Sequence, residues 1–129
     1  MATTKKILLV EDDEFTQFMM KEVIGTLEVQ VDVAGNGQEG CECLDEQPDA
    51  YCLVLMDIHM PILSGVDATR QIRSSPNDPP RNVPIIALTA DEKYHDQAVV
   101  SKHGMDGFVA KPVSPGQILG LINKYCHAA

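Results

Sequence analysis

The sequence predicts an α/β fold, a parallel sheet with helices on both faces, and three observations carry that prediction. Five short apolar runs alternate with five helical stretches. The third run, Cys52–Met56, is apolar without alternation, as in a strand covered on both sides. The connections are short, and Asn36-Gly37 marks one of the turns.

Each element has its own signal. Ile7–Val10 reads as the first strand. Phe15, Met19, Val23 and Leu27 then recur every fourth residue, which predicts one face of a first helix. Val29–Ala34 is the second strand and Gly37–Gln47 the second helical stretch. After Cys52–Met56 comes a third helix over Gly65–Arg73. The segment Ser74–Pro84 has prolines at 76, 79, 80 and 84, which exclude regular structure, so it is a surface loop inside the domain. Ile85–Leu88 is the fourth strand. Glu92–His103 is mostly polar, a fourth helix with Tyr94, Ala98 and Val99 as its core candidates. Gly107–Ala110 is the fifth strand. The last helix has Ser114 as cap, Pro115 at its first position, then the apolar Ile118, Leu119, Ile122 and Tyr125.

At 129 residues, 44% apolar and 5% aromatic, the chain fits one domain, residues 1–129, with an aliphatic core. Nineteen acidic residues against ten Lys plus Arg give a formal charge of -9, which argues against nucleic acid as a direct partner. No apolar run approaches the roughly 18 residues of a membrane helix, and the opening MATTKK has no secretory pattern. Cys41, Cys43, Cys52 and Cys126 form no C-x-x-C pair, so reduced thiols in a cytoplasmic protein are expected.

Parallel open sheets bind ligands at the carboxyl ends of their strands, where strand order reverses. Those ends carry Glu11, Asp12 and Asp13 after the first strand, Asp57 after the third, Thr89 after the fourth and Lys111 after the fifth. With strand order 2-1-3-4-5, Glu11, Asp12 and Asp57 crowd together. Crowded carboxylates repel one another, and a divalent cation removes the conflict. Hard oxygen ligands suit magnesium. A metal, an ammonium and a hydroxyl around one aspartate are parts for phosphoryl transfer to Asp57 as nucleophile. Singly, each residue has an ordinary explanation. Glu11, Asp12 and Asp13 could be helix N-terminal acids, and Asp57 a cap. Thr89 could be a strand-end hydroxyl and Lys111 a surface lysine. Their joint placement at the ends of different strands favours the site.

The motifs "KKILLVEDDE", "LVLMDIHMPILSG", "PIIALTA" and "GMDGFVAKP" resemble the receiver domain of two-component response regulators, the CheY-like group, over nearly the whole chain. The resemblance implies a flavodoxin-like (βα)5 sandwich and a histidine kinase or histidine phosphotransfer protein as phosphoryl donor. It implies phosphorylation of Asp57, magnesium on Asp12 and Asp57, Glu11 holding the ion through water, and the backbone carbonyl of His59 as a further ligand; manganese is an expected substitute. Lys111 would pair with the phosphoryl oxygens, its bond to Pro112 being cis. Thr89 is similar to the family's switching hydroxyl and Phe108 to its rotating aromatic. Together they would re-shape the face of the fourth helix, fifth strand and fifth helix for a downstream protein.

The expected function is therefore a phosphoacceptor switch, not an enzyme on external substrates, although it assists its own phosphorylation and slow autodephosphorylation. It would act as a monomer or as a phosphorylation-dependent dimer. One alternative is the receiver module of a larger hybrid histidine kinase that relays phosphate to a histidine phosphotransfer protein. A phosphatase of the haloacid dehalogenase type fits less well, because its second aspartate would fall where His59 stands. A flavodoxin wants a hydroxyl- and glycine-rich loop where this chain has "EDDEF". The His59 side chain reads as exposed, Met19, Met20 and Met56 as core, and His95, His103 and His127 as members of no constellation.

Overall fold

Strands β1 (Lys6–Val10), β2 (Val31–Ala34), β3 (Tyr51–Asp57), β4 (Ile85–Thr89) and β5 (Gly107–Ala110) form one parallel sheet in order β2-β1-β3-β4-β5. This is the architecture expected from the sequence, seen in a computed structural model that describes residues 5–126. The opening four residues and His127 lie outside that range. The central strands alternate sides residue by residue. Ile7, Leu9, Leu53, Leu55, Ile86 and Leu88 pack on one face, and Leu8, Val10, Val54, Met56, Ile85 and Ala87 on the other. Each of the fully buried leucines and isoleucines contributes roughly 1.5–3 kcal/mol by leaving water.

Helices α1 (Glu14–Gly25) and α5 (Pro115–Tyr125) cover the first face through Met20, Ile24, Ile118 and Ile122. Helices α2 (Gly37–Glu46), α3 (Gly65–Arg73) and α4 (Gln97–Lys102) cover the second through Cys41, Leu44, Ala68, Ile72 and Val100. The starts of these helices follow local chemistry. Asp13, Asn36, Ser64, Asp96 and Ser114 each accept from an amide in the first turn of the helix they cap.

Four expectations are corrected. The buried row of α1 is Met20 and Ile24; Phe15 is 68% and Met19 38% exposed, with Val23 and Leu27 half-buried. Met19 is thus no core residue, whereas Met20 and Met56 are. The helix expected over 92–103 is a 3-10 turn, Glu92–Tyr94, followed by the six-residue α4, because the Asp96 side chain caps a new start. Its core residues are Tyr94 and Val100, with Val99 half-buried and Ala98 exposed. Finally, Cys52 and Cys126 form a disulfide, since the end of α5 comes down on the start of β3 with the two Cα atoms 5.2 Å apart. Cys41 and Cys43 remain thiols; burial pushes both pKa values up, that of Cys41 to about 11.

The proline-rich loop is irregular, as expected, with cis bonds at Asp78–Pro79 and Pro79–Pro80; Lys111–Pro112 is also cis. Arg73 anchors this loop from α3. Its guanidinium donates to the carbonyls of Gly104, Arg81 and Val83 and pairs with Asp106.

Candidate functional site

Sheet register alone brings the site together. Val10 pairs with Met56, so Glu11 and Asp57 leave adjacent strands side by side. Asp57 pairs with Leu88, and Thr89 with Ala110, which sets Thr89 and Lys111 one step further along. Glu11, Asp12 and Asp57 each offer a carboxylate oxygen, all within 4.8 Å of one another, the one such cluster among the described residues. Glu11 is fully buried and Asp57 nearly so, while Asp12 is exposed. The expected ligand carboxylates therefore converge.

Lys111 reaches into the cluster. Its ammonium donates to Glu11 at 2.6 Å and stands 3.5 Å from an Asp57 oxygen. Burial lowers the lysine's pKa, but the hydrogen bond to Glu11 and the charges of Asp57 and Glu11 raise it further, so the ammonium stays charged. The second Glu11 oxygen accepts from the Asp12 amide at 3.1 Å, and Gln17 donates to the Glu11 carbonyl at 2.6 Å. Asp13 stands outside the cluster as the cap of α1.

Thr89 is buried, and its hydroxyl accepts from the Asp91 amide at 3.0 Å. The exposed His59 ring pairs with the Asp91 carboxylate at 2.8 Å, linking the loop after β3 to the loop after β4. Phe108 is half-buried on β5 and stacks on His95, whose Nε2 donates to the Thr89 carbonyl at 2.8 Å. His95 was expected to join no constellation and does join one. His103 also contacts Tyr94, which in turn meets His59 edge-on. Turn-and-loop histidines have no period, and sequence alone had no signal for these contacts.

The loop after β3 is held by its own backbone: the Gly65 amide donates to the Ile58 carbonyl and the Leu63 amide to that of Pro61. Ile62 lies between them at φ 71°, a left-handed geometry that disfavours a β-branched residue, with its side chain 80% exposed.

Three carboxylates facing one ammonium leave an excess of negative charge next to a buried edge. Burial and the hydrogen bond to Asp57 raise Glu11 to about 7, against the pull of Lys111. A divalent cation held by these oxygens would meet that excess, so the residues fit one. Between the ordinary value of 4.5 and about 7 the folded chain holds a proton that the unfolded chain has released. That contribution is present in full below 4.5 and is lost as pH rises through about 7. Thermal melts in chelator should accordingly show stability falling across this window by on the order of 3 kcal/mol. Millimolar magnesium should restore it at pH 8 and do little at pH 5. A melt that ignores both pH and metal would contradict this assignment of charge.

A doubly wound five-stranded sheet thus carries an acidic cluster at its β1/β3 edge, with a lysine just after β5 reaching into it. The chain belongs to the response regulator receiver domain family, whose model matches residues 7–123. It is 36% identical over 125 residues to "Two-component system protein A" of Emericella nidulans, covering 96% of this chain and 18% of that protein. It is 29% identical over 122 residues to the "Polar-differentiation response regulator DivK" of Brucella anthropi, covering 94% of this chain and 95% of that one. Among solved structures, the receiver domain of sensor histidine kinase PA1611 from Pseudomonas aeruginosa PAO1 superposes with a TM-score of 0.82 at 31% identity, covering 94% of this chain and 96% of that one. That structure has a magnesium ion coordinated in its active-site cleft. This chain is a receiver domain homologous to the receiver modules of two-component proteins and hybrid kinases. Among the described residues no helix is long and apolar enough to cross a membrane.

Proposed function

We propose that the chain is a phosphoacceptor switch of a two-component or phosphorelay pathway and that Asp57 receives the phosphoryl group. The convergence of Asp57 with Glu11, Asp12 and Lys111 carries this proposal. A carboxylate oxygen of Asp57 forms the new P–O bond as the P–N bond to a donor imidazole breaks. The imidazole keeps that electron pair and is protonated from solvent. Lys111 offsets the charge spread over the transferred oxygens. Asp12 and Asp57 would hold magnesium directly, Glu11 through water, and the His59 carbonyl would complete the protein's share; manganese would substitute. When bound, such an ion polarises the phosphoryl oxygens. The magnesium-bearing relative supports the choice of ion. The same groups would assist slow loss of phosphate to water, with no external substrate turned over.

With phosphate on Asp57, the Thr89 hydroxyl leaves the Asp91 amide for a phosphoryl oxygen, and Phe108 moves toward the space vacated. The face of α4, β5 and α5 then changes for a downstream protein, or for a second copy in a phosphorylation-dependent dimer. The donor would be a histidine kinase or a histidine phosphotransfer protein, in the cytoplasm. No nucleic acid or membrane is needed.

The partly exposed apolar row of α1 supports a docking role for that donor. Phe15, Met19 and Val23 line an apolar groove with Lys111, Pro112 and Val113, next to the acidic cluster, and Phe18 is 63% exposed on the same helix. Phe15→Ser should leave stability within about 0.5 kcal/mol. It should slow transfer from a phosphorylated histidine phosphotransfer protein by on the order of thirtyfold, as loss of an interface anchor does. Acetyl phosphate should still label it at the wild-type rate, so equal slowing with both donors would argue against docking here.

The proposal as a whole is tested by incubation with acetyl phosphate, with and without magnesium. An intact-mass gain of one phosphoryl group should appear only with the metal. A second reading, a receiver module within a larger hybrid kinase, is favoured by relatives of which this chain spans a small part. The DivK relative, of similar length, favours a stand-alone regulator. An immunoblot of the natural host's protein separates the two by size.

A further inference from the structure

We propose that His95 is a positioning residue, tied to the Thr89 main chain, that latches Phe108 in its unphosphorylated arrangement; this rests on the receiver function proposed above. His95 stands between the 3-10 turn and α4, and its ring makes two contacts at once. Nε2 donates to the Thr89 carbonyl at 2.8 Å, and the ring lies nearly parallel to Phe108, at 12° with centroids 5.8 Å apart. The same carbonyl accepts from the Lys111 backbone amide at 2.9 Å, so both of its lone pairs are engaged. One imidazole therefore grips the main chain of Thr89, at the point where Lys111 is also tied, and covers the ring of Phe108 on the neighbouring strand.

A carbonyl only accepts, so Nε2 carries the proton in the neutral ring as well as in the charged one. The contact is consequently a mechanical tie that survives either protonation state. Moving Phe108 toward the Thr89 hydroxyl's former place takes its ring away from His95, which the Thr89 carbonyl holds in position. The latch thus opposes the Phe108 half of the switch. Any group that opposes the switched state also weakens ligands that select it, by linkage.

Beryllofluoride, which sits on a carboxylate oxygen as a phosphoryl mimic, reads this coupling without a protein partner. With saturating magnesium, His95→Ala should bind beryllofluoride about fivefold more tightly than wild type, the low end of ordinary coupling between sites. The Phe108 ring resonances of the free variant should already lie toward their wild-type ligand-bound positions. His95→Phe keeps a stacking ring but loses the hydrogen bond, and should show a smaller gain. Wild-type affinity or weaker in a folded His95→Ala, with unmoved Phe108 resonances, overturns the latch. If His95→Ala fails to melt cooperatively, His95→Phe decides alone, and wild-type affinity there overturns it equally. Absence of beryllofluoride binding by the wild type would instead remove the receiver function, and the latch with it.

Discussion

Asp57→Asn should abolish phosphoryl uptake from every donor while leaving the chain folded. The carboxamide has no anionic oxygen to form the P–O bond, and no other carboxylate in the cluster replaces it: Glu11 is fully buried against Lys111, and Asp12 lies on the exposed rim. Asn differs little in volume, so the packing of β3 is kept. The substitution also removes the hydrogen bond and the charge through which Asp57 raises Glu11; burial, the larger cause, remains. In chelator at pH 8 the variant should therefore be more stable than wild type, by about 1 kcal/mol or more. Its gain in stability on adding magnesium should be smaller. Intact mass after acetyl phosphate and chemical denaturation measure the two effects separately. Residual uptake of one phosphoryl group would move the acceptor elsewhere.

Gly65→Ala should be the most damaging single methyl at the loop that follows β3. A Cβ built there falls 2.0 Å from the Asp57 carbonyl oxygen and 3.0 Å from the Met56 side chain. Both neighbours belong to the central strand, so the start of α3 must move away from the sheet edge. Overpacking of this kind costs roughly 2–4 kcal/mol. The same displacement shifts the backbone that aims the Asp57 side chain, and misplacement by about 1 Å slows chemistry on the order of a hundredfold. Gly120→Ala is the control. Nothing lies within 4 Å of that Cβ, in the middle of α5, and the change should stabilise by about 0.5–1 kcal/mol. If both variants unfold and label alike, close approach at Gly65 has no special role.

Why the strands and the acidic cluster were readable, and other features were not, has a physical basis. Strands buried on both faces leave long apolar runs, and in a parallel sheet each run's last residues face the functional edge whatever the helices do. Glu11, Asp12, Asp57, Thr89 and Lys111 could thus be placed by counting along five segments. Helix α1 was harder, because it is apolar on two sides. The rows Phe15-Met19-Val23 and Met20-Ile24 both repeat every four residues, and nothing local tells which meets the sheet. The row left in water is the one bordering the site. The Cys52–Cys126 pair is 74 residues apart in sequence and depends on where α5 ends over β3. The grip of His95 depends on the break between the 3-10 turn and α4, which a side chain, Asp96, imposes.

The most direct test of the central claim is to locate the label. Wild-type protein treated with acetyl phosphate, reduced with borohydride to trap any acyl phosphate, and digested for mass spectrometry should carry the modification on residue 57 with magnesium present and on no residue in chelator. Labelling that persists without a divalent cation, or that maps to any residue other than Asp57, would contradict it.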